Sequence, residues 1–335
     1  MNKQEFLSAL ITTKPGININ GIDESMGYFY FTGKNVITFN NTISIQSPLK
    51  TNFRTFLRGN DLVNLLMGTK SETMDIQMQD TKVKIKAKNI QATLNTIEDE
   101  DFVVKIKAIA KAIKSVEWKP LPKNFVQAIS ACSTVFVAGE LDSILSCASI
   151  TKDTCLASDN QRIVKSKFDS TLDDMLIKCT EIGKLTGIDP IEYGISDNWV
   201  HFKNESNCIF SLIKVEGDFP EISSLFDFDG EKLILPKNLT DGINITEIFV
   251  DSISPYINIK FEKGNCILAI SSKYGSVKHR SKIKYSGKPI EFAINPEFLK
   301  SMIQHSTTVV LNEEKTKLKL ETKNYSIVSA LYKNE

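Results

Sequence analysis

The tetrapeptide Leu-Pro-Lys-Asn stands at Leu121–Asn124 and again at Leu235–Asn238, 114 positions later. Each copy follows a strand-like run (Val116-Glu117-Trp118; Lys232-Leu233-Ile234) and precedes a helical pattern. Proline suits the first turn of a helix, where its missing N–H would have no partner anyway. A second echo supports the first. Thr93–Phe102 and Ser211–Phe219 are strand-like runs that pass into acidic residues and end on Phe, again about one period apart. Units of roughly 112 residues fit three times into 335. The expected domains are 1–115, 116–228 and 229–335. A period this long repeats whole domains and is too long for a solenoid.

Each unit shows the same order of signals. In the first, Glu5–Ile11 carries Phe6, Leu7, Leu10 and Ile11 at helical spacing, and strands are expected at Gly27–Phe31, Asn35–Phe39 and Thr42–Gln46. A second helix over Asn60–Met67, with Asn60 as its cap, precedes strands at Met74–Met78 and Val83–Ala87. The second unit predicts a helix at Lys123–Cys132, strands at Ser143–Ile150 and Thr154–Ser158, and a longer helix at Leu172–Leu185 ended by Gly187 and Pro190. Strands at Ile191–Ile195, Trp199–Lys203 and Cys208–Val215 complete it. The third predicts a helix at Asn238–Phe249 and strands at Ile257–Glu262, Cys266–Ser271 and Val277–Tyr285. A helix from Pro296 to His305, capped by Asn295, then precedes strands at Thr307–Leu311, Lys317–Glu321 and Ser326–Leu331. Helix, strands, helix, strands, three times over, is an α+β arrangement of antiparallel sheets carrying two helices per unit.

Composition narrows the function. Hydrophobic residues make up 41% and charged residues 24%, the balance of a soluble globular protein. No apolar run is long enough to span a bilayer, and Met1–Phe6 lacks the apolar core of a signal peptide, so a cytoplasmic location is expected. The six cysteines form no C-x-x-C pair and are expected to be buried thiols; neither a metal nor another cofactor is expected. No phosphate-binding, dinucleotide-binding or nucleophile-elbow motif occurs, and the three histidines are scattered, so the chain is not expected to be an enzyme. The net charge of +1 conceals a pattern. The first unit has 15 Lys and Arg against 11 Asp and Glu, the second 10 against 17, and the third 16 against 12. Two basic ends flank an acidic middle.

Two stretches carry a resemblance. Cys155–Val164 (Cys-Leu-Ala-Ser-Asp-Asn-Gln-Arg-Ile-Val) reads as a strand, a polar turn and a returning strand; Leu212–Pro220 ends on Gly-Asp-Phe-Pro. Both resemble the middle domain of bacterial β sliding clamps, the processivity rings of replicative DNA polymerase III, where Ala-Thr-Asp-Gly-His-Arg-Leu and Gly-x-Phe-Pro occupy these places. Tyr285–Leu299 is similar to that family's Tyr-Ser-Gly…Phe-Asn-x-x-Tyr-Leu segment, and Thr93–Phe102 to its first-domain closing strand. Asn160 and Gln161 replace Gly and His, the family's terminal Met-Pro-Met is absent, and Met1-Asn2 leaves little room for the usual first strand. The chain reads as a diverged clamp, of a kind a virus or mobile element would carry.

The resemblance implies three clamp domains per chain and two chains closed head to tail around duplex DNA. The implied partners are DNA held topologically and without sequence preference, a replicative polymerase, a clamp loader and a second copy. A peptide pocket is implied at Leu156, Ser158, Asn160, Gln161, Arg162 and Ile163 with the tail residues Val328, Ser329, Ala330 and Leu331. A plainer reading of this turn is a hairpin in which Asp159 pairs with Arg162. Because clamp helices line the channel, DNA-facing candidates are Lys14, Arg54, Arg58, Lys70, Lys123, Lys178, Lys184, Lys237, Lys278, Arg280 and Lys300, any of which could instead be a solvated surface charge. Ala92 and Leu94 are candidates for the seam between chains. The alternatives are a clamp-fold interaction or structural protein that does not encircle DNA, and a hydrolase dependent on Asp159 or Arg162.

Overall fold

The computed structural model describes residues 1–135, 144–253 and 255–332; Ser143, where a strand is expected to start, lies outside them. The chain runs α1 (Lys3–Thr13), β1 (Tyr28–Phe31), β2 (Asn35–Phe39), β3 (Ile43–Pro48), β4 (Thr55–Arg58), α2 (Gly59–Gly68), β5 (Asp75–Gln79), β6 (Lys82–Ala87), β7 (Ile90–Asn95) and α3 (Glu100–Ser115). It continues through β8 (Lys119–Pro120), α4 (Phe125–Cys132), β9 (Cys147–Ser158), β10 (Arg162–Lys178), α5 (Cys179–Thr186), β11 (Glu192–Ile195), β12 (Trp199–Lys203), β13 (Ile209–Ile213) and β14 (Gly230–Ile234). The last stretch is α6 (Leu239–Glu247), β15 (Ile257–Glu262), β16 (Asn265–Ser272), β17 (Gly275–Lys282), β18 (Ile290–Ile294), α7 (Pro296–Ile303), β19 (Thr308–Asn312), β20 (Lys317–Glu321) and β21 (Tyr325–Ala330). Two compact units result, residues 1–126 with 175–216 and residues 127–174 with 217–335.

The first unit holds an antiparallel eight-stranded sheet, β4-β1-β2-β3-β13-β12-β11-β8, and a three-stranded sheet, β5-β6-β7. Its core gathers Phe6 and Leu10 of α1, Leu62, Val63 and Leu66 of α2, Phe29 and Phe31 of β1, and Val83 and Ile85 of β6. The α1 cap is Asn2, whose side chain accepts the N–H groups of Gln4 and Glu5. Met1 and Asn2 do pair, by a single bridge to Thr73 and backbone bonds between Met1 and Met74. Asn60 does not cap α2: Arg58 holds the cap position without a side-chain bond, and Asn60 sits inside the first turn.

Helix α3 corrects the expectation of a closing strand reaching Phe102. Strand β7 stops at Asn95, and the carboxylate of Asp99 accepts the N–H of Phe102 at 2.8 Å. Glu100 and Asp101 then occupy the positive end of a helix whose lysines come later, a charge order that suits the macrodipole. Phe102, Ile106 and Ile109 fall on one face and pack against Tyr30, Phe39 and Phe56. Helical period and cap both oppose a strand here.

The second unit holds a six-stranded sheet, β14-β19-β20-β21-β10-β9, and a four-stranded one, β17-β16-β15-β18. Helix α6 lies on β17 so closely that a Cβ at Gly242 would stand 2.5 Å from the His279 ring. The expected helix at Leu172–Leu185 is also corrected. Its first part belongs to β10, where Met175 and Ile177 are buried in alternation, and only Cys179–Thr186 is helical. A run of apolar residues at mixed spacing fits either period, and here the strand period wins up to Lys178.

The repeated Leu-Pro-Lys-Asn makes the same turn twice. The carbonyl of Pro122 accepts the N–H of Phe125 at 2.9 Å, and that of Pro236 accepts the N–H of Leu239 at 3.1 Å. Each proline therefore sits three residues ahead of its helix instead of in the first turn. A second repetition is in the sheets. Strand β13 pairs antiparallel with β3, and β21 with β10. Each is the last strand of one sequence unit laid against a strand of the preceding unit.

His201 on β12 is fully buried, with Nδ1 2.8 Å from Ser211 Oγ and Nε2 3.2 Å from Ser196 Oγ. Burial pushes its imidazole down to about 4. The unfolded chain therefore takes up this proton first as pH falls. The stability difference is fully present above about pH 6.5 and is lost toward about pH 4, amounting to about 3 kcal/mol. In chemical denaturation, the stability gap between wild type and His201→Asn should be widest at neutral pH and close across this window. A gap constant with pH would show that His201 is not held neutral.

Candidate functional site

Strands β9 and β10 are joined by the turn Asp159-Asn160-Gln161. Asp159 organises it: Oδ1 accepts the N–H of Arg162 at 2.7 Å and that of Gln161 at 3.2 Å. Asn160 has φ 67°, in the left-handed region that its short polar side chain tolerates. The Arg162 guanidinium grips Oδ2 of Asp159 through Nε at 2.8 Å and Nη2 at 2.6 Å. It also donates to the carbonyl of Thr134 at 3.0 Å and lies 4.0 Å above the ring of Phe298. The hairpin reading of Asp159 and Arg162 is correct. It is compatible with a pocket, because the paired arginine forms part of a wall.

That pocket, about 340 Å³, lies within the second unit. Seven of the expected residues line it: Ser158, Asn160, Gln161, Arg162, Ile163, Val328 and Ala330. Their meeting follows from the β10–β21 register, which sets Ile163 opposite Val328 and Arg162 opposite Ser329. Ile163, Phe226 and Val328 form one buried apolar cluster, with Leu156 packed against it from below. Ser329 is fully buried, and neither it nor Leu331, which donates its N–H to Thr316, lines the pocket. Leu145, Pro220, Ile222, Leu225 and Lys317 complete the lining and escaped sequence reasoning. Pro220 and Ile222 could have been found from the Gly-Asp-Phe-Pro exit, which delivers the chain to the pocket.

Lys319 fixes the segment that forms one side. Its Nζ donates to the carbonyls of Phe226 and Phe228, both at 3.0 Å. The result is an apolar floor with uncharged polar groups at Ser158, Asn160 and Gln161 and two cations, Arg162, which is paired with Asp159, and Lys317. Such a site suits a short apolar peptide segment better than a polar substrate. A larger cavity in the first unit, about 440 Å³ beside α3, sets Phe56, Ile97 and Val103 among Asp80, Glu98, Asp99 and Glu100, carboxylates of a kind the hairpin pocket does not have in its lining.

The basic candidates separate into groups. Lys14, Lys70, Lys123 and Lys237 are exposed at or beside the ends of α1, α2, α4 and α6. Three others already face carboxylates: Arg58 with Asp61 at 3.7 Å, Lys184 with Glu181 at 2.8 Å, and Lys300 with Glu247. Arg54 is exposed just before β4 and donates to the carbonyl of Thr32, and Lys178 ends β10 at the cap position of α5. Lys278 and Arg280 lie on strand β17, so they are not helix-borne. Of the seam candidates, both stand on β7; Leu94 turns inward and packs against the core. All six cysteines are buried, and burial pushes the thiols of Cys208 and Cys266 up to about 12. Among the described residues, no helix is long and apolar enough to cross a membrane.

Solved structures match this architecture from end to end. A DNA polymerase sliding clamp from Pseudomonas aeruginosa superposes with a TM-score of 0.82 at 12% identity, covering 100% of this chain and 99% of that one. The chain has the β sliding-clamp fold. A sliding clamp from Bartonella birtlesii gives a TM-score of 0.84 at 11% identity, covering 100% of this chain and 98% of that one. The DNA polymerase III beta chain of Streptococcus pneumoniae gives 0.80 at 15%, covering 99% and 98%. In sequence, the β sliding clamp of Mycoplasma genitalium is 23% identical over 337 residues, covering 89% of this chain and 87% of that protein. No protein-family model matches the chain.

Within this clamp fold the hairpin supports the pocket wall, and its parts should respond differently to substitution. Arg162→Ala removes the partner of Asp159 Oδ2, leaving Oδ1 on its two backbone N–H groups, and should lower stability by about 2 kcal/mol. Asn160→Gly keeps the left-handed turn and should change stability by under about 1 kcal/mol. Denaturant midpoints of the two variants check both values.

Proposed function

We propose that the chain is a DNA sliding clamp, a non-catalytic processivity factor whose two copies close head to tail around duplex DNA. Residues 1–115, 116–228 and 229–335 are its three domains. The observation that carries this reading is what remains unpaired in the sheets. The last strand of the second domain, β13, lies on β3 of the first, and the last strand of the third, β21, lies on β10 of the second. The same rule applied once more asks β7, the last strand of the first domain, to lie on β17 of a third domain. Both β7 and β17 are sheet edges among the described residues. A second copy can meet the demand at both ends, and a head-to-tail seam of this kind closes into a ring when the rotation permits.

The two existing seams also predict the register. Ile43 and Arg162, which follow the turns closed on Asn40 and Asp159, face Leu212 and Ser329. The corresponding pair is Gly275, closing its turn on Ser272, and Leu94. Continuing antiparallel, Thr93 meets Ser276 and Ala92 meets Val277. Leu94 and Ala92 share the inward face of β7, so both would support the seam from the core side, with Ala92 opposite Val277.

The proposed ring slides because its contacts with phosphate are few and without sequence preference; Lys14, Lys70, Lys123 and Lys237 are the best placed to make them. Retention comes from closure. The pocket on β10 and β21 would take a short apolar segment of a replicative polymerase, and Lys317 favours an acidic residue beside it. A clamp loader would open the seam, and the protein would act in the cytoplasm where DNA is copied.

A chain carrying both Thr93→Cys and Ser276→Cys tests the seam, since directly opposed residues bring their Cα atoms to about 5 Å, within disulfide reach. Mild oxidation should give a covalent species of two chains from the double variant and none from either single variant. If the double variant stays at one chain at every protein concentration, the reading shifts to a clamp-fold interaction protein that does not encircle DNA.

A further inference from the structure

The outer faces of the two free edges carry the same charge. On β6 the side chains of Val83 and Ile85 enter the core, so Lys82, Lys84 and Lys86 point the other way. Their neighbours on that face are Asn95, Thr93 and Gln91 of β7, all uncharged. On the far side of β6 the face offers Gln79, Gln77 and Asp75, and Asp75 is already bonded to Gln77 at 2.7 Å. On β17, His279 turns in under α6, so Lys278, Arg280 and Lys282 face outward. Opposite them on β16 stand Ala269, Ile267 and Asn265, again without a carboxylate.

In the β3–β13 seam, Ile43 and Ile45 beneath α1 stand opposite Leu212 and Phe210, and Phe210 pairs with Phe202, which stacks on Phe125 at the start of α4. The helix-bearing faces of joined sheets therefore coincide, and so do the outer faces. Applied to β7 and β17, the register sets Lys278 against Gln91, which is itself beside Lys86. Arg280 falls by the Lys88-Asn89 turn. Cations of the two copies then stand about two strand spacings, roughly 10 Å, apart, which is about one Debye length at 0.1 M salt. Opposite charges meet only at the other end, where Lys273 approaches Glu98.

We propose that the self-seam of this clamp is electrostatically opposed, so that ring closure is driven by the backbone ladder and apolar contacts and is strengthened when anions screen the two lysine-rich faces. The inference rests on the head-to-tail reading above and concerns its regulation. An interface held by salt bridges would loosen with salt. This one tightens.

The test is the dimer dissociation constant, from sedimentation or light scattering across dilution in potassium chloride, for wild type and three charge variants. For wild type it should fall about tenfold between low and roughly 0.5 M salt. Lys84→Glu with Lys86→Glu reverses one edge and should bind tightly at low salt and weaken as salt rises. Lys278→Glu with Arg280→Glu should do the same from the other side. All four substitutions together restore like charge and should restore the wild-type trend. Dimerisation of wild type that weakens with salt, or one-edge variants that match wild type, would overturn the proposal while leaving the ring intact. No dimer from any of these chains, together with no cross-link between positions 93 and 276, would overturn the ring reading and the proposal with it.

Discussion

Sharing of sheets between successive sequence units holds this molecule together. A strand edge carries a row of unmet N–H and C=O groups, and leaving such a row open invites other chains. Here the edge at the end of one unit is covered by the strand of another: β13 on β3 and β21 on β10, antiparallel in both cases and with the same offset from the neighbouring turns. The long sheets let strands of successive sequence units bury one another's apolar side chains. Ile45 against Phe210, Ile43 against Leu212, Ile163 against Val328 and Val164 against Ile327 are apolar pairs across these joints.

The same joint creates the candidate site. Ile163 is on β10 and Val328 on β21, so the pocket floor exists only because the last strand of the chain returns to the hairpin of the preceding unit. Asp159 and Arg162 hold that hairpin's turn, and Lys319 anchors the segment opposite. The candidate site is a by-product of the structural seam, and Asp159, which does not line the pocket, holds the turn that does.

Much of this was legible in the residues. The repeated Leu-Pro-Lys-Asn marked two entries into helices, and strands such as β2, β12, β15 and β20 fell where alternation put them. The hairpin turn was readable because Asp, Asn and Arg between apolar runs have few other uses. Four features were not. Helix α3 is hidden because its acidic start reads equally as the end of a strand, although Phe102, Ile106 and Ile109 carry the helical period. The extension of β10 through Ile177 was masked by apolar residues that satisfy both periods. Leu225 is far from the hairpin in sequence and meets it only through tertiary packing, while Leu145, just ahead of β9, carries no local pattern that marks it as pocket lining. The basic side chains were visible, but their partners were not: Glu247 beside Lys300 comes from another helix.

The central claim is that retention on DNA comes from closure of a ring and owes little to affinity. The most direct measurement compares retention of the protein on a nicked circular plasmid and on the same plasmid cut once, by gel filtration at moderate salt. A ring stays with the circle and is lost from the linear form, from which it can slide away. Equal retention on both forms would mean that the protein binds DNA as an ordinary ligand, and would contradict the account.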